Sequence, residues 1–483
     1  MIIGVMKIGM MKKGVMKKET AKGYLTVFLA LSLSAMTGFM LFLYSNAANN
    51  AAKIRLELAT DMGMNSALGE YHRLLHDRYG LFFVDASFGE GNPSIENLEN
   101  RIYDYTDRNL PGGGILGPYG KTILTQVQIE QAVSAAAGDG KCMKRQAVQY
   151  VKDMGWESKK LFADGDASQI ETLLAQDAIA EWCDLMDRIS AMELPKVQNA
   201  DGEWEEVPLR NPADAAFGMM GSSLLYLTEI DAHEISDVHV KRSDYCSGRI
   251  RKNTLATAEF APEDVSTKLF LTYLSEQMGC CGEKKEDGLL QYQLEYIACG
   301  EDSDYGNVSE LLGKLLAVRF AVNLADIFSD SDICGEASAL AQSLNVVKLA
   351  PVFADPVAQS ILFACAYLES VSDVRCLVSG GRIPINKSSV DVRIEQVLRG
   401  EVPAGSSSSD GLNYKQYLLC FIALLPEKER NLRALDIMEM DIRKLEGTPF
   451  FCMDYCVERM AVTVWGKGAV GTDYDLRRTY GYY

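Results

Sequence analysis

The sequence has few of the residues and motifs that carry enzymatic chemistry. Its 483 residues include only four histidines, and they contain no Cys-x-x-Cys pair and no Gly-x-Ser-x-Gly segment. The sequence therefore shows no catalytic constellation and reveals no reaction. Proline is absent before Pro93 and charge is absent from Gly23 to Ala52, so a long uninterrupted helix is expected near the start of the chain.

The apolar part of this stretch, Tyr24–Tyr44, has the length of a membrane span. A helix of about 20 residues crosses the roughly 30 Å hydrocarbon core of a bilayer, and tyrosines favour the headgroup layers at its two ends. We therefore expect a transmembrane helix at 23–46 that contacts membrane lipid through residues 24–44. A cleaved signal peptide is the alternative, because Ser45–Ala47 offers a weak cleavage site, although signal peptides have apolar regions of only about 7 to 15 residues.

Charge is distributed unevenly along the chain. Residues 1–44 carry six lysines and one glutamate, a net +5, whereas the whole chain carries −18. Positive charge beside a span indicates the cytoplasmic side, so we expect a single-pass protein of the cell membrane with a basic cytoplasmic tail at 1–22 and an extracellular C-terminal ectodomain. An acidic ectodomain repels phosphate backbones, and no nucleic-acid partner is expected. The lysines are Lys7, Lys12, Lys13, Lys17, Lys18 and Lys22.

A third interpretation of the N-terminus is cleavage of a basic leader. A leader that ends at Gly23 before an apolar helix is similar to the processing site of type IV prepilins. The prepilin pattern places a glutamate five residues after the cut, where this chain has Phe28. We therefore expect the anchor to remain uncleaved.

Helical spacing continues beyond the span. Alanines favour continuation of the helix, and apolar residues recur at helical intervals until Gly80 closes it. We expect a pilin-like stalk helix at 47–79, followed by ectodomain lobes at 80–285 and 286–483. Something must cover the apolar line of the stalk, either the chain's own ectodomain or the helices of partner subunits. This line consists of Ile54, Leu58, Met62, Leu68, Tyr71, Leu75 and Tyr79.

Helical and strand patterns alternate in the body of the chain, which indicates a mixed α+β ectodomain rich in helices. A hairpin is predicted around Asp201 and Gly202. The predicted helices are 93–110, 142–154, 167–192, 212–227, 308–329, 356–381 and 417–425. The last two are expected to be core helices, because their apolar runs, 361–368 and 417–425, are too short to span a membrane. The predicted strands are 81–85, 122–130, 289–300, 450–466 and 474–483.

Several segments come close to known ligand motifs without matching them. Gly114–Thr122 has one residue too many for a phosphate loop, and Pro118 removes a backbone donor from it. The histidine pairs are also interpreted as structural, with a solvated stalk face at His72 and His76 and a loop at His233 and His239.

Acidic turns begin at Asp164, Asp302 and Asp330, and all three lack the glutamate that closes an EF-hand. Helix caps and solvated turns explain them better. An irregular calcium site at Glu301, Asp302 and Asp304 is the alternative. We therefore assign no catalytic, cofactor-binding or metal residue and expect no cofactor.

All twelve cysteines follow residue 140, on the predicted outside of the membrane. An even number permits disulfides, although three of the cysteines lie in apolar helical patterns where a thiol acts as a small hydrophobic group. Mostly free, buried thiols are expected. Candidate pairs are Cys452 with Cys456, and Cys280 or Cys281 with Cys299, and the three helical cysteines are Cys365, Cys376 and Cys420.

Two kinds of resemblance appear in the sequence. The segments KGYLTVFLALSLSAM and ATDMGMNSALGEYHRLLHDRYGLFFVD resemble the N-terminal pattern of TadE/TadG-like proteins of tight-adherence pilus systems. With YQLEYIACGEDSDYGNVSELLGKLLAVRFAVNLADIFSD and AYLESVSDVRCLVSGGRIPI they are similar to an uncharacterised family, a domain of unknown function, of single-span surface proteins from clostridia-like Gram-positive bacteria.

This resemblance implies a non-enzymatic surface protein, namely a pseudopilin-like or assembly component of a tight-adherence, type IV-like pilus or secretion system. It implies that the stalk helix binds membrane proteins of that system, and it brings no catalytic residues. A surface receptor or a hydrolase that acts on glycan or peptide is the alternative function.

Overall fold

The fold is described from a computed structural model for residues 11–89, 91, 93–110, 121–250, 265–387, 389–445, 447–468 and 471–482. It is 59% helical and 11% strand, which confirms the prediction of a mixed, helix-rich α+β protein. The helices are α1 Met11–Gly69, α2 Arg73–Tyr79, α3 Ile95–Asn109, α4 Ala137–Asp153, α5 Asp166–Leu174, α6 Ala178–Ser190, α7 Asp214–Met219, α8 Leu224–Leu227, α9 Thr267–Gln277, α10 Gln293–Cys299, α11 Asp304–Ser329, α12 Ser331–Ser343, α13 Asn345–Leu349, α14 Ala354–Val378, α15 Ile394–Arg399, α16 Tyr414–Leu424 and α17 Glu427–Lys444. The strands are β1 Val84–Asp85, β2 Ile123–Ser134, β3 Lys196–Gln198, β4 Trp204–Glu206, β5 Arg382–Ile383, β6 Leu412–Asn413, β7 Cys456–Lys467 and β8 Asp473–Gly481.

The chain divides into two compact units. The first, which we call the anchor unit, consists of Met1–Tyr71, Ser94–Ala132 and Arg459–Tyr483, and the second, the helical unit, consists of His72–Pro93 and Val133–Glu458. The expected lobe boundary near residue 285 falls inside the helical unit. Helices from both sides of that position pack together there, since α5 contacts α11 and α16, and α6 contacts α14.

Antiparallel strands form the sheet of the anchor unit. β7 pairs with β8 in a register that runs from Arg459 opposite Gly481 to Lys467 opposite Asp473, and β2 is the neighbour of β7 on its other side. The strands predicted from residue 122 and at the C-terminus are therefore confirmed. In the helical unit the predicted strand 81–85 is reduced to β1, which pairs with the first residues of β7.

The second half of α1 packs against α3 and β8. The contact with α3 is close at Gly63, where a Cβ atom would lie 2.3 Å from Oγ1 of Thr106. On the strand side, the Tyr480 hydroxyl donates a hydrogen bond to Asp61 and the Tyr482 hydroxyl donates one to the Leu68 carbonyl. The buried face of α1 in this unit consists of Ala52, Leu56, Ala59, Thr60, Met64, Ala67 and Leu68.

The predicted stalk helix is interrupted before its end. α1 stops at Gly69, and α2 starts separately after His72. The backbone N–H of His72 donates to the Phe83 carbonyl at 2.8 Å, so it is not available to extend α1. Gly80 closes α2 with a left-handed conformation, as predicted.

Long apolar helices form the core of the helical unit. α11 begins at Ser303, whose hydroxyl caps the Gly306 N–H at 3.2 Å, and α14 is buried nearly all round. Trp182 of α6 is fully buried among the rings of Phe217, Phe320, Phe363 and Tyr367. The predicted helices at 308–329, 356–381 and 417–425 are confirmed, and the last two are core helices.

Three predictions for the body are wrong. The single helix expected at 167–192 is two helices, α5 and α6, because Asp177 turns its side chain onto the Ala180 N–H and starts a new helix. The helix expected at 212–227 is likewise divided into the short helices α7 and α8. The strand expected at 289–300 is the helix α10, whose residues Gln293–Ala298 are all buried. A helix buried on every side has no polar face, so its apolar residues show no helical period that distinguishes it from a strand. The predicted hairpin at Gly202 is confirmed as β3–β4.

Candidate functional site

The surroundings of the N-terminal helix change along its length. Within the described residues, α1 is the one helix long and apolar enough to cross a membrane, over Gly23–Gly69. Up to Tyr44 it exposes apolar side chains on all sides, as a helix surrounded by lipid does. Beyond that point one side of the helix is buried in the anchor unit and the other is exposed.

Three large apolar side chains of α1 are exposed beyond the span. Ile54, Leu58 and Met62 are 55%, 54% and 54% exposed. Because they are four residues apart, they form one row on the helix, which we call the stalk face. The apolar line predicted from the sequence is thus divided, since its later residues Leu68, Leu75 and Tyr79 are buried in the protein.

Lipid does not reach the stalk face when the helix stands along the membrane normal. At 1.5 Å per residue, Ile54 lies about 15 Å beyond Tyr44 along the helix and Met62 about 27 Å beyond it. The polar layer on each side of a bilayer is only about 5 to 8 Å thick. If α1 spans a membrane in this way, the stalk face lies in water, where an exposed apolar row favours contact with another protein.

The stalk face continues the apolar surface of the membrane span. One row of side chains follows α1 at intervals of three or four residues, an average of about 3.7, so the row stays on one side of the helix. We call this row the apolar line, and no polar side chain interrupts it. Its members are Leu29, Leu33, Met36, Met40, Tyr44, Ala47, Ala51, Ile54, Leu58 and Met62.

Charges of opposite sign lie beside the stalk face. With about 100° of rotation per residue, Arg55 lies on one flank, and Glu57 and Asp61 lie on the other. The guanidinium of Arg478 in β8 approaches Glu57 at 3.5 Å and Asp61 at 3.9 Å. Two carboxylates share this one guanidinium, so their flank keeps a net negative charge.

The histidines of the predicted stalk do not share a face. His72 is the N-cap of α2, where its Nδ1 accepts a hydrogen bond from the Leu75 N–H at 3.2 Å and its ring packs against Phe451. Burial lowers the pKa of His72. His76 lies beside Asp77, with 3.3 Å between Nδ1 and Oδ1. The prediction of a solvated helix face is wrong for His72, because the chain turns there and packs the ring.

The acidic turns hold the backbone. Asp330 caps α12 by accepting hydrogen bonds from the N–H groups of the next turn, which confirms the cap interpretation. Asp304 is buried and accepts the N–H groups of Gln291 and Tyr292 at 3.0 and 3.2 Å. Within the described residues, no group of three or more His, Cys, Asp or Glu side chains is arranged to hold a metal ion.

The other motif residues have simple positions. His233 lies in a short 3-10 turn and His239 in an extended segment that bridges to Ser303, so the loop interpretation is confirmed for both. Asp164 is exposed and pairs with Lys268 at 3.3 Å. Most of the glycine-rich segment Gly114–Thr122 lies outside the described residues.

The twelve cysteines all lie within the described residues and form no disulfide, and seven of them are buried, as predicted. Burial raises the pKa of the thiols at Cys365, Cys420 and Cys452 to about 12, which keeps them protonated at neutral pH. A protonated thiol is a poor nucleophile. The candidate pair at the C-terminus is unbridged, because the Cys456 thiol donates to the Cys452 carbonyl with 3.5 Å between sulfur and oxygen.

No sequence pattern predicted the polar helix α17 of the helical unit. Residues 430–442 of this helix are all buried, among them the carboxylates Asp436, Glu439 and Asp441. Each carboxylate accepts hydrogen bonds from distant parts of the chain, so α17 joins α2 and α10 to irregular segments of the helical unit. The donors are Ser247 N–H and Tyr296 hydroxyl to Asp436, Arg249 and Met453 N–H to Glu439, and Tyr79 hydroxyl, Gln293 and Leu289 N–H to Asp441.

A second buried network joins α11, α14 and the segment after β5. Arg319 donates to Oδ2 of Asp373 at 2.9 Å. Lys387 donates to Oδ1 of the same carboxylate at 3.1 Å and also to Glu369. The charges of Arg319 and Lys387 neutralise those of Asp373 and Glu369 inside the protein. Removal of one member would leave a buried charge without a partner, so the cluster contributes to the stability of the fold.

Glu295 of α10 is buried, and within the described residues it forms no ion pair. Its Oε1 accepts hydrogen bonds from the Cys281 N–H at 2.7 Å and the Tyr414 hydroxyl at 2.9 Å, whereas Oε2 is buried with no hydrogen-bond partner. Burial raises the pKa of Glu295 to about 7, although the two hydrogen bonds oppose this shift. Glu295 therefore titrates near neutral pH.

Two clefts open on the surface of the helical unit. One, of about 700 Å³, lies between α6 and α14 and is lined by Glu181, Asp184, Asp187, Arg188 and Phe363, among others. The other, of about 560 Å³, is lined by charges of both signs, which are Lys160, Asp164, Asp166, Lys268, Arg382 and Asp410. Asp164, the first residue of one of the acidic turns, lines the second cleft, where it is already paired with Lys268.

These features define a class of protein. It is a helix-rich α+β protein in which one helix of the described part is able to span a membrane and carries an exposed apolar row, and in which buried charge networks join the elements of the larger unit. The chain belongs to the family of unknown function (DUF5702), whose model matches residues 202–468. This match supports the expectation of an uncharacterised family. No curated protein and no solved structure matches the chain significantly.

Proposed function

We propose that the chain is a membrane-anchored, non-enzymatic assembly component of a tight-adherence, type IV-like pilus or secretion system. In this proposal it is a TadE/TadG-like protein of a Gram-positive cell surface. The span in α1 anchors it in the cell membrane, and the pilin-like continuation of α1 binds other membrane proteins of the machinery.

The stalk face is the observation that carries this proposal. Ile54, Leu58 and Met62 lie in water beyond the span, and the anchor unit covers the other side of the same helix. A surface receptor or a hydrolase does not by itself require an apolar row on its anchor helix. A component that packs laterally against other membrane helices needs this row, because burial of the row stabilises the contact.

The orientation rests on the lysines. All six precede the span, so the tail at 1–22 is placed in the cytoplasm and the body beyond Asn46 outside the cell. This arrangement puts the stalk face next to the outer surface of the membrane, where other anchored helices are within reach.

The buried polar groups support a structural role. The carboxylates of α17 accept hydrogen bonds from several segments of the chain, and the network of Lys387, Glu369 and Asp373 joins two helices to a loop. Their arrangement is explained by the stability of the fold and does not require a reaction.

The proposal is tested with Leu58→Lys in the full-length, tagged protein, purified from membranes of its native host. A lysine in an apolar contact must be desolvated, so the variant should lose the pilus or secretion-system membrane proteins that copurify with the unchanged chain. Mass spectrometry of the purified material measures this loss.

Ile123→Lys is the matched control. Ile123 is 51% exposed in β2 of the same unit but lies off α1, so its replacement should leave the copurifying proteins unchanged. Retention of the partners by Leu58→Lys, or equal loss from both variants, would contradict a contact at the stalk face.

A further inference from the structure

We propose that a cleft of the helical unit binds a short zwitterionic peptide, whose carboxylate lies at Lys160 and Arg382 and whose ammonium group lies at Asp410. This site, which we call the charged cleft, has a volume of about 560 Å³ and is lined by all three of these residues. The inference goes beyond the proposed function and is independent of it, because the charged cleft belongs to the helical unit and the stalk face belongs to the anchor unit.

Three parts of the chain form the walls of the charged cleft. They are residues 160–166 before α5, the first turn of α9, and β5 and β6 with the residues that precede β6. The Gln416 side chain joins two of these walls, because its Nε2 donates to the Leu161 carbonyl at 2.6 Å and its Oε1 accepts an N–H of β6 at 3.0 Å. At Gly411 a Cβ atom would lie 2.5 Å from the carbonyl carbon of Ile383, so the chain packs tightly there. The walls are thus in place without a ligand, as those of small-molecule sites usually are.

Half of the charged side chains in the cleft already have a partner. Asp164 and Lys268 form an ion pair at 3.3 Å, and the Asp166 carboxylate accepts the Ala163 N–H at 2.7 Å. These contacts hold the wall before α5 against the start of α9. The ligand is therefore expected to meet the other three charges.

Those three charges have no ionic partner. Among the residues that the structure describes, Lys160, Arg382 and Asp410 form no ion pair. Arg382 donates to the Gly411 carbonyl at 3.3 Å, and Asp410 accepts a hydrogen bond from its neighbour Ser409 at 3.2 Å. A ligand of one sign would meet a like charge in this cleft, whereas a ligand with both signs can pair with all three groups.

The side chains of the cleft match the two ends of a peptide. At neutral pH a peptide carries an ammonium group at one end and a carboxylate at the other. The planar guanidinium of Arg382 suits a carboxylate, and Lys160 adds a second positive charge. A volume typical of sites for drug-sized ligands favours a peptide of a few residues over one amino acid. Apolar side chains that can contact its uncharged middle are Phe162, Pro384, Ile385 and Leu412.

The test measures binding of trialanine to the detergent-solubilised, full-length protein by saturation-transfer NMR. Titration should give a Kd on the order of 1 mM, as expected for a ligand of this size. N-acetyl-trialanine lacks the ammonium group and trialanine amide lacks the carboxylate. Each should bind about fivefold more weakly than trialanine, because each loses one charge contact.

Two variants assign the ends of the peptide. Asp410→Asn should weaken trialanine binding about fivefold and leave N-acetyl-trialanine binding unchanged, because the acetylated peptide has no ammonium group. Lys160→Gln should likewise weaken trialanine binding and leave trialanine amide binding unchanged. Both side chains are exposed, so the midpoint of thermal unfolding should stay the same. Lys348→Gln, exposed on α13 outside the cleft, is the matched control and should bind trialanine as the unchanged chain does.

The outcomes are separate from those for the stalk face. Absence of saturation transfer to trialanine at about ten times the expected Kd would overturn the site. Equal affinities for trialanine and its two blocked forms would overturn the recognition of a zwitterion, and an equal loss in Lys348→Gln and Lys160→Gln would place the binding outside the charged cleft. Leu58→Lys should bind trialanine normally, so a failure of the proposed function leaves this result intact.

Discussion

Replacing Glu295 by glutamine should stabilise the protein at pH 8 and leave its stability near pH 4.5 almost unchanged. The carboxyl group is fully buried, and one of its oxygen atoms has no hydrogen-bond partner. Glutamine has the same shape as the protonated acid and can accept the same two hydrogen bonds from Cys281 and Tyr414. It therefore reproduces the neutral form at every pH.

The size of the effect follows from the pKa of Glu295, which burial raises from 4.5 to about 7. The folded state binds this proton more tightly than the unfolded state does. The stabilisation from Glu295 is complete below about pH 4.5 and is lost as the pH rises through 7. At about 1.36 kcal/mol per pH unit, the free energy of unfolding falls by about 3 kcal/mol.

The assay is chemical denaturation of the detergent-solubilised, full-length protein between pH 4.5 and 8.5. The difference in unfolding free energy between Glu295→Gln and the unchanged chain should grow from near zero to about 3 kcal/mol over this range. Other buried acids are present in both proteins, so their contributions to the pH dependence of stability cancel in that difference. Asp436, whose pKa burial raises to about 6, is one of them.

Glu283→Gln is the matched control for this measurement. Its carboxylate is exposed and pairs with Lys415 at the surface, so the variant should follow the pH dependence of the unchanged chain. The reasoning is refuted when Glu295→Gln also follows that dependence, or when it is less stable than the unchanged chain at pH 8.

Further predictions concern topology, processing and the buried charges. Protease added to intact cells, once the wall is opened, should digest the body beyond Asn46 and spare the tail at 1–22. Digestion of the tail with a protected body would reverse the proposed orientation. Mass spectrometry of purified membranes should find peptides from before Gly23, whereas a mature N-terminus at Tyr24 or Ala47 would show cleavage. Lys387→Met should destabilise the protein by about 3 to 5 kcal/mol in chemical denaturation, because Glu369 is left as an unpaired buried charge. The exposed Lys348→Met should change stability by less than about 0.5 kcal/mol, and equal effects would show that the buried network is not required.

Elements with local signals were predictable from the sequence. α3 and α11 each follow a serine that caps the first turn, and α14 has a long apolar pattern that ends before two glycines. The hairpin at Gly202 was also predictable, because its turn chemistry lies within a few residues. In these cases the residues that determine the structure are neighbours in the chain.

Elements that depend on distant partners were not predictable in the same way. α17 contains Asp436, Glu439 and Asp441, a composition typical of a solvated surface, and its burial depends on donors far away in the sequence. The end of α1 depends on a hydrogen bond from His72 to Phe83 that no helical pattern reveals. The division of the stalk residues into exposed and buried sets likewise depends on where α3 and β8 pack.

The packing of β8 on α1 has a consequence for the synthesis of the protein. Tyr480 and Tyr482 bind residues of α1 that are made more than 400 residues earlier, and at about 5 to 20 residues per second this interval lasts about 20 to 80 s. During that time the growing chain leaves part of the buried face of α1 uncovered, in addition to the stalk face. We expect newly made chains to be most prone to aggregation before the C-terminal hairpin arrives, and a chaperone that shields α1 would act in this interval.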